Sequence, residues 1–262
     1  LNAHDPNSTL NALNKIGAAI EKQEDNVFLQ KRKNSFKSSL EDLDLGNSGT
    51  GMRLMMGLIS GLQIKAKLIG DSSLSKRPML RVIKPLIEMG ASIESSNGKL
   101  PISILPTSLQ KHYTYELPVA SAQVKSSILL AGLASGTGVE IIEPIQTRDH
   151  TERMLKHFGA NIKITAEDSK NIIQLAPLNH LNAKNYTVVG DISSAAFLMV
   201  AALISDSPGL EITNVGMNPS RTGILLALQK MGADIEVRNQ RLESGEPCAD
   251  LKIKKSILRG VE

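Results

Sequence analysis

The sequence predicts an α/β fold made by copying one helix–strand–helix–strand unit, and three observations carry that reading. An amphipathic run closed by Gly-Ala-x-Ile occurs at residues 13–20, 86–93, 155–162 and 228–235; the glycines are 73, 69 and 73 residues apart. Such regular spacing marks a copied supersecondary unit. An apolar helix rich in small residues stands upstream of three of the four closures, and a short β-like run separates the two helices each time.

The first copy is partial. Apolar residues at helical spacing lead to Gly17, where the helix stops in a left-handed conformation, and Ala18-Ala19-Ile20 enters a strand. The second opens at Asn47-Ser48-Gly49-Thr50, runs as a helix to Ser60-Gly61, continues through Ala66-Lys67-Leu68-Ile69 and closes at Gly90. The third runs from Ser121-Ala122-Gln123-Val124-Lys125 to Ser135-Gly136, then through Val139-Glu140-Ile141-Ile142 to Gly159. In the fourth, Ser193-Ser194-Ala195-Ala196 leads to Ser205, then Leu210-Glu211-Ile212-Thr213, then Gly232. Residues 171–175 and 251–253 add closing strands. No small-residue helix precedes the first closure, and residue 262 falls where another unit should start, so a piece of a longer repeating protein is expected.

Composition narrows the function classes. At 262 residues with 41% apolar content the chain has enough material for a packed core, but it has no Trp, so that core is built from Ile, Leu, Val, Ala and Met. A single cysteine, Cys248, excludes intramolecular disulfides and Cys-rich metal sites and fits a reducing cytoplasm. The longest apolar stretch, residues 195–204, has the length of a buried helix and not of a membrane span. The net charge of +4 is modest, and the basic residues are scattered without interleaved aromatics. Small anionic ligands are therefore expected in preference to nucleic acid.

Three segments carry polar groups that a packed helix does not need. Each complete copy has an Arg just before its second helix: Arg77 in Ser75-Lys76-Arg77-Pro78, Arg148 in Thr147-Arg148-Asp149-His150, and Arg221 in Ser220-Arg221-Thr222. A helix start offers unpaired N–H groups, and a neighbouring guanidinium can hold a phosphate or carboxylate through two parallel bonds; a plain cap with a solvated Arg is the alternative. Gly46-Asn47-Ser48-Gly49-Thr50-Gly51-Met52-Arg53 lets backbone amides approach an anion, with Ser48 or Thr50 free to cap or to touch it, although it matches neither common nucleotide loop. Ser121 and Gln123 open another helix and can bond a hydroxylated or carboxylated ligand, with Lys125 one turn in and expected in solvent. A serine acyl-transferase reading from Ser73-x-x-Lys76 fails on spacing, since Ser95-Ser96-Asn97 follows too closely. His150, Glu152 and His157 lack the H-E-x-x-H order of a zinc hydrolase, and His157 is expected to be packing or surface.

On Leu45-Gly46-Asn47-Ser48-Gly49-Thr50, Gly70-Asp71-Ser72-Ser73-Leu74-Ser75-Lys76-Arg77-Pro78-Met79, Ser121-Ala122-Gln123-Val124-Lys125-Ser126, Arg148-Asp149-His150-Thr151-Glu152, Gly190-Asp191-Ile192-Ser193-Ser194-Ala195 and Asn218-Pro219-Ser220-Arg221, the chain resembles the 5-enolpyruvylshikimate-3-phosphate synthases, in their class II form. The resemblance implies an inside-out α/β barrel of two domains, each with three βαβαββ units. Residues 1–189 would be the upper domain without its first strand and helix, and 190–262 the first unit of the lower domain. It further implies transfer of the enolpyruvyl group of phosphoenolpyruvate to the 5-hydroxyl of shikimate 3-phosphate, by a cytoplasmic monomer that uses no metal or organic cofactor. Ser121, Ala122, Gln123 and Arg148 would hold shikimate 3-phosphate; Gly49, Arg77 and Gln123 would contact phosphoenolpyruvate; Arg221 receives no role. The catalytic carboxylates would lie in segments outside this sequence, leaving the piece alone inactive. Some glyphosate-tolerant class II enzymes carry Ala at the position of Gly49, so Gly49 implies greater sensitivity. UDP-N-acetylglucosamine enolpyruvyl transferase is the related alternative, although Cys248 does not match its active-site Cys; a non-catalytic anion-binding fragment is the other.

Overall fold

The computed structural model describes residues 3–31, 35–177, 180–206 and 208–260. They form two compact units, Leu1–Gln146 with Asn161–Asn179, and Thr147–Ala160 with His180–Glu262.

The first unit begins with α1 (His4–Lys15) and a hairpin of β1 (Ile20–Gln23) and β2 (Asn26–Leu29). Next come β3 (Leu43–Asp44), α2 (Gly49–Leu62), β4 (Ala66–Ile69), a 3-10 turn (Leu74–Lys76), α3 (Leu80–Glu88), β5 (Ser92–Ser96) and β6 (Lys99–Leu105). Their sheet has the order β3-β4-β6-β5, with β3 and β4 parallel and the other pairs antiparallel. The pattern then repeats: β7 (His112–Glu116), α4 (Ala122–Ser135), β8 (Gly138–Glu143), α5 (His150–His157), β9 (Ile162–Glu167) and β10 (Lys170–Leu175) give the order β7-β8-β10-β9 with the same parallel first pair. Of these elements, α5 belongs to the second unit.

The second unit holds the third full copy, α6 (Ile192–Ile204), β11 (Leu210–Gly216), α7 (Gly223–Lys230), β12 (Asp234–Glu243) and β13 (Glu246–Lys254), in a sheet ordered β11-β13-β12. A parallel bridge from Gly190 to Val215 stands where the pattern places its first strand. The first two full copies are therefore βαβαββ, as the resemblance implies, and in the third that single bridge takes the place of the first strand.

Local chemistry explains the copying. Gly17, Gly90, Gly159 and Gly232 all adopt positive φ, at +97°, +109°, +86° and +90°, the left-handed stop that the closures predict. The three small-residue helices are each capped by a side chain at their start: Ser48, Ser121 and Asp191 accept hydrogen bonds from N–H groups of the first turn. Their small residues set how closely they pack. A methyl at Gly57 of α2 would lie 2.0 Å from the Ser127 carbonyl oxygen of α4, and one at Gly61 2.3 Å from that of Ala131, so the two helices touch backbone to backbone. Met52, Met56 and Ile59 of α2 and Ile128 and Leu129 of α4 are fully buried, with Leu68, Ile102, Val139 and Ile141 from the sheets. In the second unit α6 packs on β11 and β13 through Ile192, Met199 and Leu203 and leaves Phe197, Leu198 and Ile204 exposed. No helix among the described residues is long and apolar enough to cross a membrane.

Candidate functional site

In the first unit the sequence-predicted residues Gly49, Arg77, Ser121, Ala122 and Gln123 gather at the starts of α2 and α4. Gly49 is the first residue of α2 and is buried. A methyl built on it would sit 2.9 Å from Arg77 Nη1 and 3.1 Å from Arg53 Nη1; the missing side chain is what lets two guanidinium groups face one backbone position. Arg53 lies one turn on, and its Nη1 donates to the Gly49 carbonyl at 3.1 Å. Arg77 reaches back across the loop and donates from Nη2 to Asn47 Oδ1 at 2.6 Å. Asn47 in turn donates to Asp71 Oδ2 at 2.7 Å, and Asp71 Oδ1 accepts from the Leu74 N–H at 2.7 Å. These bonds from Asn47 and from Leu74 hold the Asp71 carboxyl below the usual carboxylate range. The loop thereby fixes Arg77 through a chain of hydrogen bonds and leaves its Nη1 beside Gly49.

Electrostatically the site is cationic. Burial, followed by the charges of Arg77 and Arg81, disfavours the ionised form of Arg53. Among the described residues, Arg53, Arg77 and Arg81 form no ion pair within salt-bridge distance. The charges of Arg77 and Arg81 acting on Arg53 create a field that a bound anion relieves.

The start of α4 joins this site. Gln123 Nε2 donates to Thr50 Oγ1 at 2.7 Å, tying the first turns of α4 and α2 together. Of the two hydroxyl residues expected to cap or to touch a ligand, Ser48 caps, accepting from the Gly51 N–H at 3.1 Å, whereas Thr50 takes the bond from Gln123. Ser121 Oγ accepts from the Val124 N–H at 3.4 Å and stays half-buried beside Ala122. The expectation that Lys125 points to solvent is wrong. Its side chain is 1% exposed, and its Nζ lies 2.9 Å from Glu143 Oε1 at the end of β8, itself 2% exposed. The helix is buried all round from Val124 to Leu129, so its one cation faces the interior and needs a buried partner. Sequence reasoning also gave no role to Arg53, although its position one turn after Gly49 signals a shared face.

In the second unit Arg148 is exposed just before α5. Arg221, for which no role was expected, bonds Asp191 Oδ1 at 2.7 Å and Ser193 Oγ at 2.8 Å, stitching the approach to α7 onto the cap of α6. Arg77 and Arg221 thus do the same structural work in their copies, each reaching back to the start of the preceding helix. Around α5, Asn218 donates to Asp149 Oδ1 at 2.6 Å, Arg153 Nε to Asp149 Oδ2 at 2.8 Å, and His150 Nδ1 lies 2.7 Å from Glu246 Oε1. His157 is packing, edge-on to Phe158 and Tyr186. Cys248 is 1% exposed on β13, and burial raises its thiol pKa, the reverse of what a nucleophilic Cys needs. Two cavities, about 230 Å³ beside Leu80, Tyr115 and Ser121 and about 260 Å³ beside Tyr186, Asn218 and Glu246, are lined by neither Gly49 nor Arg77 nor Gln123. The cationic site suits small, highly charged ligands.

Comparison with known proteins agrees with the resemblance. A family model described as EPSP synthase (3-phosphoshikimate 1-carboxyvinyltransferase) matches residues 1–260. A 3-phosphoshikimate 1-carboxyvinyltransferase of Petrotoga mobilis is 47% identical across 100% of this chain and 61% of its own length. One of Pseudomonas sp. strain PG2982 is 45% identical, with 100% and 59% covered. The solved EPSP synthase from Acinetobacter baumannii superposes with a TM-score of 0.88 at 43% identity, over 100% of this chain and 60% of that one. The chain therefore spans about three-fifths of the length of the relatives it matches. On this match the chain belongs to the EPSP synthase (3-phosphoshikimate 1-carboxyvinyltransferase) family.

Proposed function

We propose that this chain supplies binding groups for transfer of the enolpyruvyl group of phosphoenolpyruvate to the 5-hydroxyl of shikimate 3-phosphate. The observation that carries the reading is the bare backbone of Gly49, with Arg77 Nη1 and Arg53 Nη1 standing 2.9 and 3.1 Å from where a methyl would sit. The phosphate of phosphoenolpyruvate accepts from those guanidinium groups and from the first N–H groups of α2. Ser121, Ala122 and Gln123 hold shikimate 3-phosphate at the start of α4, and Gln123 lies close to both substrates through its bond to Thr50. Arg148 is assigned to shikimate 3-phosphate by the resemblance alone.

In the reaction the 5-hydroxyl oxygen gives up its proton and bonds to C2 of phosphoenolpyruvate, while the C2=C3 double bond opens and C3 takes up a proton. The tetrahedral intermediate then expels inorganic phosphate and returns a proton from C3, which restores the double bond. Both substrates are multiply anionic, so preorganised cations lower the cost of bringing them together. The test is calorimetric titration of the chain with shikimate 3-phosphate, then with phosphoenolpyruvate, and separately with UDP-N-acetylglucosamine. The reading expects binding of shikimate 3-phosphate that Gln123→Ala weakens, and none of the nucleotide sugar. Binding of the nucleotide sugar alone would support the related transferase instead.

A further inference from the structure

The buried Lys125–Glu143 pair is used neither for binding nor for capping, and its placement is costly. A cation in the first turn of a helix opposes the positive end of the helix dipole, and both side chains are withdrawn from water, at 1% and 2% exposure. An apolar residue of similar length would fill the same space without that desolvation, so stability does not explain the pair. Packing leaves another task open. Where α4 crosses α2, the surfaces are glycine and small side chains, Gly57 against Ser127 and Gly61 against Ala131. Smooth surfaces of this kind bring backbones close but have few interlocking side chains to stop one helix sliding along the other.

Polar bonds at defined points supply that register. Ser127 Oγ donates to the Arg53 carbonyl at 2.8 Å and Gln123 to Thr50 at 2.7 Å, both fixing α4 against α2. Lys125 fixes the same turn from the other side, against the last residue of β8. We propose that the Lys125–Glu143 pair is a positioning device, which pins the first turn of α4 so that Ser121 and Gln123 meet an anionic substrate in one fixed geometry. In its ligand this rests on the functional reading above; in its mechanics it does not.

The experiment compares the chain with the double variant Lys125→Met/Glu143→Leu, and with Lys125→Met/Glu143→Gln as a second neutral pair of closer shape. Thermal melting, amide hydrogen exchange across α4, and titration with shikimate 3-phosphate are measured on each. We expect at least one pair to melt at or above the parent, with exchange at residues 123–126 about tenfold faster or more and shikimate 3-phosphate bound about tenfold more weakly or worse. Parent-like exchange and binding in a variant that melts normally would overturn the proposal. So would melting below the parent in both variants, because the pair would then be serving the fold itself. If the parent fails to bind shikimate 3-phosphate, the functional reading falls, while the exchange of the first turn still decides the positioning role.

Discussion

Replacing Gly49 by Ala separates binding from stability. The backbone there is an ordinary helical one, outside the left-handed region, so Ala fits without strain. Exchanging Gly for Ala in a helix favours folding by roughly 0.5–1 kcal/mol. Against this, the new methyl would stand 2.9 Å from Arg77 Nη1 and 3.1 Å from Arg53 Nη1, with Leu74 Cδ1 at an ordinary 3.8 Å. The guanidinium groups are the far ends of flexible side chains and can withdraw by a few tenths of an ångström, so the fold loses little. The melting temperature should stay within about 3 °C of the parent or rise. An anion held by those groups loses much more. Weakening one charge-assisted hydrogen bond costs about 1.5–3 kcal/mol, which is about a tenfold to hundredfold rise in the dissociation constant. Parallel melts and titrations with phosphoenolpyruvate and with glyphosate, both in the presence of shikimate 3-phosphate, measure the two effects. Unchanged affinity for both ligands, with normal melting, would refute the placement of the anion over Gly49.

Gly57→Ala should do the opposite, because its methyl would meet the Ser127 carbonyl at 2.0 Å and backbone cannot give way; urea unfolding should show a loss of about 3 kcal/mol or more. Lys125→Met alone leaves the Glu143 carboxylate buried without its ammonium partner, and should cost about 3–5 kcal/mol by the same assay, a loss recovered in full by at least one of the two pairs in which Glu143 is neutralised as well. Burial raises the Asp149 carboxyl, but bonds from Arg153 and Asn218 outweigh it and hold the group below its usual value. Such a carboxyl contributes stability that is complete above the unfolded pKa of about 3.9 and is lost as pH falls through the folded one. Asp149→Asn should therefore flatten the acid limb of stability below about pH 4 in circular dichroism melts, and a limb identical to the parent's would contradict that assignment.

The repeat was legible because its signals are local. Gly17, Gly90, Gly159 and Gly232 each sit at a helix stop that their own neighbours define, and all four take positive φ. The strands β6 and β7 were not picked out, since Pro101 interrupts Lys99–Leu105 and His112–Glu116 buries only Tyr113 among polar neighbours. Gly49, Arg77 and Gln123 could be named from their motifs, but what joins them is not local: Arg77 bonds a side chain 30 residues away and Gln123 one 73 residues away. Lys125 was misread for the same reason. Its partner lies 18 residues on, in the strand on which α4 packs, and nothing within the first turn shows which way the side chain points. Arg53 was readable from its spacing to Gly49, and the geometry gives it equal standing with Arg77.

The central claim is that the starts of α2 and α4 form one anion site. It is tested most directly by adding shikimate 3-phosphate, then phosphoenolpyruvate, to the isotopically labelled chain and following backbone amide shifts by NMR. The account predicts that the first ligand moves the amides of residues 121–125 and the second those of residues 49–53, with saturation of both sets. Shifts confined to other regions, such as the cavity beside Tyr186 and Glu246, or saturation of one set without the other, would contradict it.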